Sequence, residues 1–374
     1  MYKDFELLID GNEAFPEIIK CIDEAQESIK INMFIWRYDN IGIEIAKHIL
    51  DAANRGVKVF ISKDRYGVVL EKAEESKQSL FHKKRKFIEK ISYKTLKRLY
   101  PSLSKRGYKS YGNKHLYKEL LNNKNIVVEK DKIKKDHSKY YIFDDKILIL
   151  GGINIEDKEN GKDKRDIKYQ DYMVKLTGIE YVSSFKEKLE KNINSNNEYF
   201  FGVNNKEIKP NVFEMKKLYL DIINKTKNEL LIIMPYFHNV KEITKAIINS
   251  VKRSVNVSIM IPRYPNFQKD TNNKCMKKLM KKTNNQINLY YSPKMTHTKL
   301  IISDDYITIG STNITNKSFN VLSELNLFIK NIDSDFKDKL INNINENINL
   351  SRKIEIYKDI KYSKFRYFLE SMFV

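Results

Sequence analysis

Cysteine is almost missing from this chain. Cys21 and Cys275 are the two present, too few for a disulfide framework or a cysteine-based metal site. The expectation is a reduced, intracellular protein. Long apolar runs are missing too. No window approaches the roughly 18–20 consecutive apolar residues of a membrane-crossing helix. The start, Met1 to Glu13, is too acidic and too interrupted to read as a signal peptide. The chain is therefore expected to be soluble or to lie on a surface. Acidic side chains are in deficit: 48 Asp and Glu stand against 69 Lys and Arg, a formal net charge of +21. Such an excess attracts polyanions, either nucleic acid or an anionic membrane surface, and says nothing about fold.

What is present is a globular composition, 41% hydrophobic with 23 Tyr and 19 Phe, in 374 residues, which is comfortable for two cores. From 15 to 29, Phe15, Ile18, Ile19, Ile22 and Ala25 recur at helical spacing, with Pro16 placed in the first turn. "IKINMFIW" (29–36) reads as a strand, "GIEIAKHILDAANRG" as a helix stopped by Gly56, and "VKVFIS" as a strand. Alternating helix and strand predicts an α/β fold with a parallel sheet. The same grammar returns late, as helix "FEMKKLYLDIINKTKNEL", strand "LLIIMPYF", helix "VKEITKAIINSVKRS" and strand "VNVSIMI". Arg55-Gly56-Val57-Lys58-Val59 aligns with Arg253-Ser254-Val255-Asn256-Val257, which predicts an internal duplication. The halves are expected over 1–190 and 205–374, with an Asn-rich, aperiodic linker at 191–211.

The strongest evidence for duplication is polar. "HSKYYIFDDKILILGGIN" (137–154) and "HTKLIISDDYITIGSTN" (297–313) each read as two strands joined by a tight turn. His137, Lys139, Asp144, Gly151 and Asn154 in the first repeat as His297, Lys299, Asp304, Gly310 and Asn313 in the second. One His-x-Lys-x4-Asp match in a lysine-rich chain with six histidines carries little weight. Two, each followed by a strand and Gly-x-x-Asn at the end of a repeat, mark one piece of chemistry. The second copy is one residue shorter between Asp and Gly, which predicts a tighter turn.

These paired motifs resemble the phospholipase D superfamily, and more narrowly its bacterial cardiolipin synthase-like branch. The narrower resemblance rests on "GGIN" and "GSTN", with Gly152 and Ser311 at matching positions, and on "YQDYMVKLTGIEYVSSF" with Asp171 and Gly178. It also rests on "NKSFNVLSELNL" with Ser318 and Glu324, and on "MPYF". Departures are Gln170 for Arg, Thr315 for Asp, Lys317 for Arg and Leu322 for Asn; they put the acceptor in doubt more than the core chemistry. The resemblance implies two tandem phospholipase D-type α/β domains, mixed sheets flanked by helices, related by a pseudo-two-fold axis. It implies one histidine from each half across a cleft, His137 as nucleophile and His297 as acid/base, and no metal or other cofactor.

Phosphoryl-linked transfer between alcohols needs a nucleophile, a proton donor for the leaving alcohol, and positive charge at the phosphate oxygens. A neutral imidazole can attack phosphorus to give a phosphohistidine, and a protonated one can release the alcohol and later deprotonate the acceptor. Lys139, Lys299, Asn154 and Asn313 suit the non-bridging oxygens. Asp171 and Glu324 suit the far ring nitrogens, where they would fix the tautomers. Asp144 and Asp304 are expected to orient the loop, and Asp145 and Asp305 to be turn residues. His48, His82 and His115 are expected to be structural or surface groups. Tyr236 and Phe237 either line the cleft or pack in the core.

The interval from Ile29 to His137 is 108 positions against 67 from Leu230 to His297, so the first half carries an insert at about 70–115. Within 81–100, Phe81, Ile88, Leu96 and Leu99 share a helical face with Ile91 at its edge, opposite Lys83, Lys86, Lys90, Lys94 and Lys97. That pattern fits an anionic membrane surface, with Lys83, Lys84, Arg85, Lys86 and Lys90 as contacts, or a helix packed on the domain with a solvated face. The favoured function is transfer of phosphatidyl groups from phosphatidylglycerol to make cardiolipin or a related lipid. It would be carried out by a monomer lying peripherally on the inner face of a bacterial cell membrane. The rivals are a phospholipid hydrolase and a phosphodiesterase acting on nucleic acid, which the charge suits equally. Superfamily nucleases often carry a single motif and dimerise, whereas this chain holds both. A non-enzymatic envelope or scaffold protein is disfavoured by intact motifs.

Overall fold

The computed structural model describes residues 4–73, 79–82, 86–100, 115–161, 168–193, 198–208, 211–331 and 334–371. The chain forms two compact units, one of Asp4–Lys186 and one that begins at Glu187.

The first unit runs β1 (Phe5–Ile9), α1 (Asp10–Glu24), β2 (Ser28–Met33), α2 (Asn40–Asn54), β3 (Lys58–Lys63), α3 (Val68–Ala73), α4 (Phe87–Leu99) and α5 (Leu116–Asn122). It continues with β4 (Ile126–Glu129), β5 (Tyr140–Phe143), β6 (Ile147–Gly151), β7 (Tyr169–Gln170), β8 (Tyr172–Thr177) and the start of α6 (Ile179–Lys191). Seven strands form a sheet in the order β1-β8-β6-β5-β2-β3-β4, with β2, β3 and β4 parallel and the remaining pairings antiparallel. The βαβ crossover through α2 produces the parallel part; the motif hairpin produces the antiparallel part. Phe15, Ile18 and Ile22 of α1 and Ile41, Ile45 and Ile49 of α2 pack with Ile31, Ile61 and Tyr141 of the sheet in one core. Helix α1 begins at Asp10, not near Phe15, so Pro16 sits inside the helix. Asp10, at φ 56, receives the chain from β1 and donates its N–H to the Asp171 carbonyl, which starts the helix earlier than side-chain periodicity indicates.

The second unit contains β9 (Tyr199–Asn205), β10 (Val212–Phe213), α7 (Met215–Lys225), β11 (Glu229–Ile233), α8 (Lys241–Lys252), β12 (Asn256–Pro262), α9 (Lys269–Lys282) and β13 (Asn288–Ser292). Then come β14 (Met295–Thr296), β15 (Leu300–Ile302), β16 (Tyr306–Gly310), α10 (Asn316–Asn320), β17 (Glu324–Lys330), α11 (Asp335–Leu350), β18 (Arg352–Ile354) and α12 (Lys364–Ser371). Its nine-stranded sheet, β10-β9-β17-β16-β15-β11-β12-β13-β18, repeats the first strand for strand, with β9 in the place of β1 and β10 and β18 added at the edges. The stretch 191–211 is therefore not a plain linker. Tyr199, Phe201 and Val203 alternate inward, at 5%, 0% and 1% exposure, and β9 pairs with β17 along six residues. The surrounding asparagines hide a strand that carries three consecutive aromatics, Tyr199, Phe200 and Phe201.

The duplication extends to single hydrogen bonds. Arg55 donates to the carbonyls of Ile22, Asp23 and Ala25, and Arg253 to those of Ile223, Asn224 and Thr226. Each guanidinium thus closes the C-terminus of the helix before the motif-bearing sheet's central strand, where carbonyls lack helical partners. Cys21 and Cys275 are buried free thiols, each pushed up to about 12 by burial, and act as small apolar residues.

Candidate active site

Each motif is carried by a hairpin next to the central strand, β5–β6 against β2 and β15–β16 against β11. His137 and Lys139 stand just before β5, and His297 and Lys299 just before β15. Lys139 is fully buried and donates through Nζ to the His137 carbonyl; Lys299, 1% exposed, does the same to the His297 carbonyl. An ammonium held by the backbone of the residue before the hairpin is a fixed positive charge, which phosphate chemistry uses without reorganisation. The turns differ as the spacing predicts. Three residues, Asp144 to Lys146, link Phe143 and Ile147, with Asp144 and Asp145 left-handed at φ 49 and 52. Two, Asp304 and Asp305, link Ser303 and Tyr306, which bond to each other.

The motif aspartates are structural in both halves. The Asp144 carboxylate accepts the backbone N–H groups of Gln26, Glu27 and Ser28 at 2.8–2.9 Å. Asp304 accepts those of Lys227, Asn228 and Glu229 at 2.6–3.0 Å. Partial burial pushes both carboxyls up, but the three amide donors outweigh it and hold each below its ordinary value. These residues pin the tip of the motif hairpin to the turn preceding the central strand.

Asn154 and Asn313 are 2% and 4% exposed, and in both the Oδ1 atom has no hydrogen-bond partner among the described residues. The equivalent buried carbonyl oxygen is thus open in both repeats.

Around the paired carboxylates the halves diverge. Gly151 and Gly310 are glycines because a Cβ would meet the Tyr172 and Leu325 carbonyls at 2.3 and 2.2 Å. At the next position Gly152 leaves room for the Asp171 carboxylate, which a Cβ would meet at 2.3 Å. Ser311 occupies that place in the second half and donates its hydroxyl to Glu324 Oε2 at 2.5 Å. The longer acid is thus paired with a hydroxyl and the shorter acid with a bare glycine.

Sequence reasoning missed the groups that surround His137. Its ring packs edge-on against Phe34, with centroids 4.9 Å apart, and the Phe34 ring centroid lies 5.4 Å from Lys139 Nζ. Asp136, one residue before, accepts from Asn32 Nδ2 at 2.9 Å and from the Ser138 N–H and hydroxyl at 3.0 and 2.5 Å. Burial pushes the Asp136 carboxyl up to about 6 despite those Ser138 donors. Asp64 accepts the N–H groups of Lys134 and Asp136 and so clamps the approach to His137. The available signal was contrast between repeats: Asp-His-Ser in the first against Thr-His-Thr in the second.

The remaining expected residues divide. His82 is buried, bonded through Nε2 to the Lys130 carbonyl, and pushed down to about 4 by burial and by Lys63. His48 pairs with Asp23 on the surface. Phe237 is core, whereas the half-buried Tyr236 donates to Asn266 Oδ1. Thr315 does the N-capping that an Asp would do, accepting from Ser318 N. In the insert, Phe81 does not belong to an amphipathic helix: it is buried against Trp36, centroids 5.3 Å apart, and α4 starts at Phe87. The face α4 exposes carries Phe87 at 77% and Ile91 at 52%, with exposed Lys86, Lys90, Lys94 and Arg98. Lys83, Lys84 and Arg85 lie outside the described residues.

A duplicated mixed-sheet α/β fold, each copy presenting His-x-Lys-x4-Asp on a hairpin beside its central strand, defines a phospholipase D-type protein. The family described as "Cardiolipin synthase, PLD-like domain" matches residues 18–192 and 219–348, and the chain belongs to it. The chain is 25% identical over 384 aligned positions to the cardiolipin synthase of Clostridium perfringens strain SM101, covering 96% of this chain and 70% of that protein. It is 23% identical over 363 positions to cardiolipin synthase B of Shigella flexneri, covering 91% and 79%. The crystal structure of phosphatidylserine synthase from Haemophilus influenzae Rd KW20 shares the fold, with a TM-score of 0.70 at 14% identity over 99% of this chain and 92% of that one.

Proposed function

We propose that this chain is a phosphatidyltransferase that converts two phosphatidylglycerols into cardiolipin and glycerol. The observation that carries the reading is the complete pair of motifs in a chain of the cardiolipin synthase, PLD-like domain family, similar over most of its length to cardiolipin synthases. His137 attacks the phosphorus of the donor lipid, forming the N–P bond as the bond to the departing glycerol oxygen breaks. His297, as imidazolium, gives that oxygen its proton. The hydroxyl of a second phosphatidylglycerol then passes its proton back to His297, attacks phosphorus and frees His137. Lys139, Lys299, Asn154 and Asn313 hold the non-bridging oxygens, with the open Oδ1 atoms of the asparagines available to substrate hydroxyls. Asp171 and Glu324 fix the imidazole tautomers. Because the proposed chemistry uses side chains alone, activity is expected to survive EDTA.

The working surface in this reading is an anionic bilayer, met from the inner face of a bacterial membrane. The exposed basic and apolar face of α4 supports that partner, and no helix among the described residues is long and apolar enough to cross a membrane. Replacing Lys83, Lys84, Arg85, Lys86 and Lys90 with Gln should weaken sedimentation with phosphatidylglycerol vesicles, most at low salt. Thin-layer analysis after incubation with phosphatidylglycerol, beside a DNA digestion control, tests the function. Cardiolipin with glycerol supports it; phosphatidic acid would mean water is the acceptor. Cleaved DNA with untouched lipid would overturn the lipid reading in favour of a nucleic-acid phosphodiesterase, which the +21 charge also suits.

A further inference from the structure

We propose that α12, at the far end of the second unit from the motif in sequence, is an interfacial anchor that seats its two exposed phenylalanines in an anionic lipid surface. The inference rests on the lipid-substrate reading and adds to it a specific docking element. Surface helices of globular proteins bury their apolar side and wet their polar side; α12 is mounted the other way round. Its one buried residue, Glu370 at 3% exposure, accepts the Thr271 N–H and hydroxyl of α9 at 2.8 and 3.0 Å. Asp270 accepts the Ser363 N–H at 2.7 Å and pairs with Arg366 at 3.7 Å. Asn273 donates to the Lys361 carbonyl, and Lys274 Nζ lies 3.5 Å from the Tyr367 ring centroid. The helix is thus fastened to α9 by its polar side, which holds Phe365 and Phe368 outward at 70% and 59% exposure. Three residues apart, they share one face.

The surroundings specify the partner. Lys358, Lys361, Lys364 and Arg366 are exposed in the same stretch of chain, against Glu355 and Asp359 as the exposed acids from 355 to 368, and Ile356 adds 47% exposed apolar surface. Lysine is depleted in the cores of protein interfaces. Lysines flanking outward aromatics fit instead an anionic headgroup layer, where the ammonium groups stay wet and the rings reach the acyl boundary.

The test uses the full chain with Phe365→Ser and Phe368→Ser together, sedimented with vesicles of equal phosphatidylglycerol and phosphatidylcholine and with phosphatidylcholine alone. Partitioning to the anionic vesicles should fall on the order of 10- to 100-fold, while any activity on detergent-dispersed phosphatidylglycerol stays at the parent level. Vesicle binding is read whether or not the parent makes cardiolipin, so failure of the anchor and failure of the proposed reaction are separable. A parent-like vesicle affinity in the double variant would overturn the proposal. So would a parent that self-associates through this face and becomes monomeric on substitution, since a second copy would then be the occupant. A second variant, Phe368→Trp, reports insertion directly, because the one native tryptophan, Trp36, is fully buried and gives a constant background. Its emission should shift to shorter wavelength with phosphatidylglycerol vesicles, and no shift would count against the anchor.

Discussion

Arg37 and His238 occupy equivalent places, each donating its backbone N–H to the residue after the motif asparagine, Ile155 in one half and Ile314 in the other. What surrounds them is different in kind. Arg37, fully buried, meets Glu156 at 2.5 Å and the Glu71 carbonyl; Lys63 meets Glu71 at 2.9 Å; Arg65 meets Glu89 at 2.7 Å. Burial pushes Glu71 up, but Lys63, Ser79 and the Trp36 N–H more than offset it, leaving the group below its ordinary value. The second half places neutral groups at the equivalent positions. The Tyr219 hydroxyl donates to the Thr312 carbonyl and accepts from Asn326, whose Oδ1 takes the Thr312 N–H. Asn272 ties the Pro235–Phe237 segment, and His238 bonds Gln268. The same backbone hydrogen bond is therefore flanked by buried ion pairs at Arg37 and by neutral groups at His238. The ionic half is the one with the insert: Glu71 and Glu89 belong to α3 and α4, so the buried charges also fasten the inserted helices.

The largest expected difference between the halves is chemical. His137→Ala should abolish turnover and any acid-labile phosphohistidine. His297→Ala should cut turnover by on the order of 10²–10⁴-fold while still trapping label from a donor with an activated leaving group. Rapid-quench labelling decides it, and label retained in the first variant but lost in the second would reverse the roles. Next come the interiors. Arg37→Leu leaves Glu156 with Lys158 alone, 3.3 Å away, and strips the α3 carbonyls of their guanidinium; it should cost about 3–5 kcal/mol. Asn326→Leu in the neutral network should cost about 1–3 kcal/mol. Denaturant melts followed by hydrogen exchange in each unit would show whether the ionic half is the more brittle; equal losses would break the comparison.

Exchanging the residues beside the acids should have a smaller effect. Gly152→Ser forces a side chain into the Asp171 carboxylate and should destabilise by about 1–3 kcal/mol, and Ser311→Gly removes both the hydroxyl's bond to Glu324 and its acceptance of the Leu325 N–H, about 1–3 kcal/mol. Activity measured over pH separates positioning from simple unfolding, since a misplaced carboxylate shifts the profile and partial unfolding only scales it. The smallest effect is a shared one. Burial keeps His82 and His238 neutral, each pushed from 6.5 down to about 4. Between those values the unfolded chain binds protons that the native chain does not, so stability falls as pH drops through the window and is fully present above it. His238→Gln should make that slope shallower in the second unit and leave it unchanged in the first.

Local spacing was enough to read much of this protein. Two copies of His-x-Lys-x4-Asp, each followed by Gly-x-x-Asn, announce a duplication from spacing alone. Helical and strand periods located α2, α7, α8 and the central strands, because apolar patterning is a property of neighbours in sequence. The strand Tyr199–Asn205 escaped because its inward aromatics stand among asparagines and its existence depends on pairing with Glu324–Lys330, far along the chain. Phe81 has the spacing of a helical face, yet Trp36 claims it for the core. Asp136, Asp64 and the Arg37–Glu156 and Lys63–Glu71 pairs were invisible for the same reason. A charge in a sequence reads as solvated surface, and only the fold decides which charges lose water and which partner, dozens of residues away, replaces it. The sequence determined the chemistry on offer and its duplication; tertiary structure decided that Arg37 sits among buried ion pairs and its counterpart His238 among neutral hydrogen bonds, because desolvation is a property of the packed interior.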